Sequence, residues 1–492
     1  MDLAEELRES LHGVLASGTI EIREAGGRTS PLPPLSWEVR GAPDKPLLHL
    51  WAENCQVTRR VLAITGQSEE RILLAVERFG RATPGRMEII RLNFQRNPKQ
   101  ISREDFCEQL RRVLAENFPD EVLEKLSIAS DLEHSLSGLY ARGLFHNGAT
   151  RGAFLAVPQQ ATQDAIESSL TFALLWLERA RQSSGKGLVS FLRLILPQGK
   201  ASLLTHQLAA LDSRMAVQVY ELNSLHEHIE RVDPLRDGNI SSWLVPRREC
   251  DLLLNRARAD LAPLISLAPD SITPHAVPHE QEVVLRFHGL PFARWCDGQI
   301  HYWCGSLWRT LSPRNRQEMQ RMVQNLKTFR NSLASDLRHP LYRAHPERWL
   351  QSLIKQDLSR IDIQLDPDHV YDQVVAQSGS HHGILDLLAV TRNKRLAILE
   401  LKATENPELP LQAADYWNRI RRHLALGDLP RYGYFPGMEL QSSAPLVYLI
   451  APALRFHPTT DALLKYLSPD MEIIRIGLVE TWRRGLRVVM RQ

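Results

Sequence analysis

Apolar and polar positions alternate with period two over much of residues 1 to 98, in LSWEVRG, PLLHLWAE, TRRVLAITGQSEERILLAVERFG and RMEIIRLN, after one short amphipathic helix. That pattern predicts a small β-rich domain. From 99 to 222 the period switches repeatedly. Helical DFCEQLRRVLAENF is followed by strands SGLYARGLF and RGAFLAVP, the long helix AIESSLTFALLWLERARQ, strand VSFLRLILP, helix ASLLTHQLAALD and strand MAVQVYEL. Residues 223 to 339 read as a connecting region with a helix, a hairpin EVVLRFHGLPFARWCDGQIHYWCG and a basic helix. From 340 to 492 the order is helix PERWLQSLIKQDL, strand HVYDQVVAQ, two further strands, helix LPLQAADYWNRIRRHLAL, strand PLVYLIAP, helix TDALLKYL and strand EIIRIGLV. The predicted class is a multidomain α/β (α+β) chain whose last domain has a mixed central sheet.

Composition changes this picture little. At 492 residues the chain exceeds what one core supports, and 43% hydrophobic with 24% charged residues is ordinary for a globular protein. The acidic opening MDLAEELRES and the lack of any long apolar run predict a cytoplasmic protein without a membrane span. Cys55, Cys107, Cys250, Cys296 and Cys304 are scattered, with no CxxC pair, which argues against a disulfide framework or a thiolate metal site. Trp295, Trp303 and Trp308, beside Arg294 and Arg309, are expected to pack a hairpin's own core rather than to stack on bases.

The chemistry lies in GILDLLAVTRNKRLAILELKA, residues 383 to 403. Three charges, Asp386, Glu400 and Lys402, interrupt two strands that are otherwise apolar on both faces. If Arg392, Asn393 and Lys394 form the turn, Thr391 faces Arg395 and Asp386 falls opposite Glu400. Ile384, Asp386, Leu388 and Val390 then share one face, as do Leu396, Ile398, Glu400 and Lys402. Buried charges of this kind need compensation. A divalent cation, Mg²⁺ or Mn²⁺, held by Asp386, Glu400 and the Leu401 backbone carbonyl would supply it. Lys402 would orient or help deprotonate a water and stabilise charge on a phosphate. Gln412 and Tyr416 lie at i and i+4 of the next helix, and Glu347, on the helix before the strands, is the candidate third carboxylate.

In this order GILD, ELK and QAADY match GxxD, ExK and QxxxY, and the last 150 or so residues resemble the PD-(D/E)XK nuclease superfamily in its RecB-like, restriction-endonuclease-like form. The resemblance implies an αβββαβ core and a magnesium-dependent nuclease acting on nucleic acid, with DNA expected. It makes Asp386 and Glu400 the metal ligands, Lys402 the catalytic lysine, and Gln412 and Tyr416 supports of the site. Family members often carry an upstream histidine; His381 and His382 adjoin the motif here. No GxxxxGK[ST] motif is present, so a helicase or other effector would be a separate partner; a homodimer is also open. The alternatives are a silent nucleic-acid-binding scaffold and a ligand-gated effector nuclease.

Two further expectations concern the rest of the chain. Residues 99 to 222 follow the same element order as 340 to 492, which suggests a degenerate copy with Ala141, Ala156 and Pro158 in place of Asp386, Glu400 and Lys402. Arg419, Arg421 and Arg422, after QAADYW on the same helix, are candidate phosphate contacts, with Arg330 and Arg483 among further basic residues near the domain.

Overall fold

The computed structural model describes the chain apart from residues 1, 16–18, 25–26, 29–35, 53–54, 69–70, 78–84, 93–102, 132, 149, 184–187, 224–226, 238–241, 305–306 and 379–380. It is a mixed α/β protein with four sheets among the described residues and divides into two compact units, Met1–Ser102 and Arg103–Gln492. Among the described residues no helix is long and apolar enough to cross a membrane.

Among its described residues the first unit is a sheet of seven antiparallel-paired strands with one helix, Leu3–Leu15. Leu7, Leu11 and Val14 recur at helical spacing and are buried against Leu48, Leu50, Ile72, Leu74 and Ile89 of the strands. Alternation along Arg71–Val76 puts Ile72, Leu74 and Val76 into that core.

Within the second unit, the C-terminal sheet contains strands Trp243–Leu244, Leu365–Ser378, His381–Thr391, Leu396–Leu401, Leu446–Pro452, Ile473–Leu478 and Val488–Arg491, in that spatial order. The pairs between Leu396–Leu401, Leu446–Pro452 and Ile473–Leu478 are parallel, and the others are antiparallel. Helix Pro346–Gln356 covers one face, where Trp349, Leu350 and Ile354 meet Leu387, Ala389, Leu399 and Ile450. Helix Leu409–Ala425 covers the other, where Trp417 and Ile420 meet Leu388, Val390, Leu396, Ile398 and Leu449. The edge strand Trp243–Leu244 comes from the region expected to be a connector.

Residues 272 to 310 form a third sheet, five antiparallel strands in chain order, whose Phe287, Phe292, Trp295 and Tyr302 pack on helices Arg247–Ile265 and Arg316–Phe329. Trp295 is buried as expected and donates to Asp260 at 2.7 Å. Trp303 and Trp308 correct the expectation: they pair edge to face across two strands but remain exposed. Arg330 also departs from its expected place on a basic surface. It is fully buried, stacks over Trp349 and donates to the carbonyls of Phe287, His288, Leu341 and Ala344. At Gly289 (φ +77°) a β-carbon would sit 2.2 Å from the Arg348 carbonyl, so this turn presses directly on helix Pro346–Gln356.

The fourth sheet holds strands Val122–Ser127, Ala141–Asn147, Thr150–Ala156, Val189–Pro197, Val217–Asn223 and His228–Val232. Its pairings run antiparallel, antiparallel, parallel, parallel, antiparallel. That is the sequence of directions found from Leu365–Ser378 to Val488–Arg491. Helix Gln163–Gln182 follows the third strand here as Leu409–Ala425 does there.

The matching residues, however, shift by one from the expected set. Leu155, not Ala156, faces the covering helix as Ile398 does, and Leu155 pairs with Arg142 across the hairpin. Val157 N–H bonds the Ile195 carbonyl at 2.9 Å just as Lys402 N–H bonds that of Ile450 at 2.9 Å, and both central strands end in proline, Pro197 and Pro452. Face and bonding place Arg142, Leu155 and Val157 where the other sheet has Asp386, Glu400 and Lys402.

Candidate active site

The register expected from the turn is present. Thr391 N–H donates to the Arg395 carbonyl at 2.8 Å, and pairing runs from Val390↔Leu396 to Leu387↔Leu399. The next pair in that register is Asp386 with Glu400, and there the ladder stops. Leu401 N–H instead donates to Asp386 Oδ2 at 2.9 Å.

On the other side of Asp386, the pairing with Leu365–Ser378 skips from Leu385↔Val374 to Leu387↔Asp372. The skipped residue opposite, Gln373, has φ +52°, the left-handed region that a non-glycine residue in a strand rarely adopts. Alternation breaks at this point. Leu385 joins the same core as Leu388 and Val390, while Ile384 is exposed, so the expected single face through Ile384, Asp386, Leu388 and Val390 does not form. The irregularity releases Asp386 from the ladder and leaves its carboxylate free to reach across to the end of the neighbouring strand.

Two glutamines that sequence reasoning passed over hold this arrangement. Gln351 donates to the Asp386 carbonyl at 2.6 Å, and Gln373 Nε2 donates to Gln351 Oε1 at 3.1 Å. Gln351 is buried, beside Leu350 and near Ile354 on the apolar stripe of helix Pro346–Gln356. A polar residue in that stripe was the available signal.

Glu400 is 3% exposed. Its Oε1 faces the Lys402 ammonium at 3.5 Å, a long contact, and its Oε2 is buried with no hydrogen-bond partner. Burial, with the Asp386 charge added, raises the Glu400 carboxyl well above the usual range. Burial also pushes Asp386 up to about 6, against the opposing pull of the Leu401 N–H and Lys402. For Lys402 burial acts downward, but the charges of Glu400, Glu347 and Asp386 together outweigh it, and the ammonium is held above its ordinary value. Tyr416 is raised well above the usual phenol by burial and by the charges of Glu400, Asp415 and Asp386, so it remains a neutral hydroxyl. Gln412 Nε2 approaches Glu408 at 3.4 Å, and its Oε1 is a second buried oxygen without a partner.

Glu347 lies in the first turn of helix Pro346–Gln356, and its charge reaches Asp386, Glu400 and Lys402. It does not complete a three-carboxylate cluster. Among the described residues no three His, Cys, Asp or Glu side chains are grouped closely enough to ligate one ion. His381 and His382 belong by backbone to the Asp386 strand, and their side chains lie outside the described residues.

Arg419 is not a surface contact. It is 1% exposed and locked to Asp415 at 2.6 Å, one turn earlier on the same helix. Arg483 is likewise drawn inward, over the rings of Tyr342, Trp349 and Trp482. Arg421 lies over the Trp417 ring at 4.5 Å, and both Arg421 and Arg422 are half-buried. These arginines thus spend their charge within the QAADYW helix itself, Arg419 on Asp415 and Arg421 on the Trp417 ring.

No family model matches the chain, and no curated protein matches it. Among solved structures, a repair endonuclease from Pyrococcus abyssi is similar at 13% identity over 44% of this chain and 95% of that one, with a TM-score of 0.16. At that level the likeness transfers no residue role.

Proposed function

We propose that the C-terminal domain is a divalent-metal-dependent nuclease of PD-(D/E)XK type that hydrolyses phosphodiester bonds of nucleic acid, DNA being the expected substrate. The observation that carries this reading is the buried, unpartnered Glu400 Oε2 beside Asp386 and Lys402. A carboxylate oxygen without a donor in a site this enclosed is destabilising by several kcal/mol as an order of magnitude unless a cation joins it. All the donors are oxygens, the set that suits Mg²⁺ or Mn²⁺, and Asp386, Glu400 and the Leu401 carbonyl would hold the ion. When bound, it supplies Lewis-acid polarisation of a phosphate oxygen and makes a water at the phosphate more acidic.

The chain's own groups have complementary tasks. Lys402, held as an ammonium, donates hydrogen bonds and offsets negative charge developing on the phosphate, a role that fits its raised pKa better than proton abstraction does. Tyr416, kept neutral, presents a hydroxyl donor beside the carboxylates. Gln351 and Gln373 act as positioning residues that fix the backbone at Asp386. The small β-rich sheets and the rest of the chain would select the substrate or recruit a partner.

Labelled single- and double-stranded DNA and RNA, incubated with Mg²⁺ or Mn²⁺, test the reading. Wild-type protein is expected to cut. Lys402→Ala should lose about 10²-fold or more of the rate yet keep metal-induced thermal stabilisation, whereas Glu400→Gln should lose both. Equal cutting by all three proteins, or an inert wild type that no metal stabilises, overturns the assignment.

A further inference from the structure

The two sheets of like topology do not merely sit in one chain; they meet through equivalent residues. Leu211 and Leu467 form an antiparallel bridge. Around it, Asp212 N–H donates to the Tyr466 carbonyl at 2.9 Å, and Ser468 N–H donates to the Ala210 carbonyl at 2.9 Å.

The segments that supply these bonds run in step. Met215 N–H bonds Asp212 as Met471 N–H bonds Ser468, and Ala210 N–H bonds Gln207 as Tyr466 N–H bonds Leu463. Continuing in step, Leu222 pairs with Pro197 as Leu478 pairs with Pro452. So Leu211 is the counterpart of Leu467, Asp212 of Ser468, and Ala210 of Tyr466, and each bond across the contact is matched by its mirror. That reciprocity is the signature of an isologous, two-fold contact. Helices pack reciprocally as well. Leu409–Ala425 lies against Thr205–Ala209, and Gln163–Gln182 lies against Thr460–Leu464. A single apolar core runs from Leu136 to Met471 across both sheets.

Building on the nuclease reading above, we propose that residues 103 to 232 are a catalytically dead second copy of the nuclease fold that fills, within one chain, the place a second subunit would take. At its would-be site an arginine, Arg142, stands at the Asp386 position and spends its guanidinium on the Ala129 and Ser137 carbonyls. Leu155 and Val157, both buried, stand at the Glu400 and Lys402 positions. None of the three can ligate a divalent cation.

The molecule therefore has one live site on a two-fold frame, and its pairing face is already occupied. Each hydrolysis places the hydroxyl of one water on phosphorus, breaks one P–O bond and returns the proton to the departing oxygen. One live site breaks one strand per engagement, so the chain works as a monomer that nicks.

Two measurements test this. In a Leu211→Cys/Leu467→Cys variant, mild oxidation should give a cross-link inside one chain, with the mass staying at the 56.1 kDa of the monomer by light scattering. Covalent dimers of the variant, or a wild type that is dimeric by light scattering, overturn the internal pairing whether or not the protein cuts DNA. Supercoiled plasmid with Mn²⁺ should accumulate open circles at every protein concentration. Linear product without an open-circle intermediate, rising with the square of concentration, overturns the single-site reading, and failure to cut at all counts against the nuclease assignment while the cross-link still decides the pairing.

Discussion

Asp386 and Glu400 both titrate higher in the fold than in the unfolded chain, because burial and mutual repulsion penalise their charged forms. The folded chain then keeps protons that the unfolded chain has released. Stability consequently falls as pH rises from the ordinary carboxylate value of about 4 towards about 6 for Asp386, and it stays lowered above that point. Asp386→Asn keeps an acceptor for the Leu401 N–H and removes the charge. In metal-free protein it should raise stability by about 2 kcal/mol at pH 8 and by nearly nothing at pH 4, and it should abolish stabilisation by Mn²⁺. Melting curves at the two pH values decide this; a variant less stable than wild type at pH 8 would mean the carboxylate is already compensated. The identity of these residues was readable from charges in an apolar hairpin. Their support was not. Gln351 looks in sequence like one more helix residue, and Arg419 looks like part of a basic run until Asp415, one turn away, takes its charge.

At the scale of elements, the device that makes the site is the kink at Gln373. A strand that stayed regular would pair Asp386 into the ladder. The left-handed φ of Gln373 is worth about 1 to 3 kcal/mol of local strain for an ordinary residue and more for a β-branched one. Asn adopts that conformation readily, so Gln373→Asn should stay within about 1 kcal/mol of wild type, whereas Gln373→Val should lose about 2 kcal/mol or more and weaken metal-linked stabilisation too. Urea unfolding with and without Mn²⁺ checks both, and a Val variant equal to the Asn variant would remove the kink from the explanation. Periodicity located the strands, helices and hairpin register of residues 346 to 478 well, since each carries a clear period of two or a helical stripe. It could not reveal a reversal of φ at one glutamine, nor the short strand Trp243–Leu244, which is two residues long and has no period to read.

For the molecule as a whole, the shared core predicts shared fate. Leu467 is buried where the two like sheets meet. Leu467→Asp should destabilise both sheets together, and hydrogen exchange should speed up in strand Thr150–Ala156 as much as in strand Leu396–Leu401. Loss of protection confined to the C-terminal sheet would show that each stands alone. Element order in the sequence hinted at the likeness of these sheets, but the residue match came out one position wrong, because order along the chain says nothing about which face a side chain takes. The strand Trp243–Leu244 has a practical corollary. It bonds to Gln377 and Ala376 and covers that end of the outer strand Leu365–Ser378 from a segment far upstream in the chain. The C-terminal sheet is therefore not a portable cassette: a gene fragment beginning at Pro340 would carry every residue of the motif yet expose a bare strand edge ready to recruit neighbours, and it would aggregate before it could be assayed.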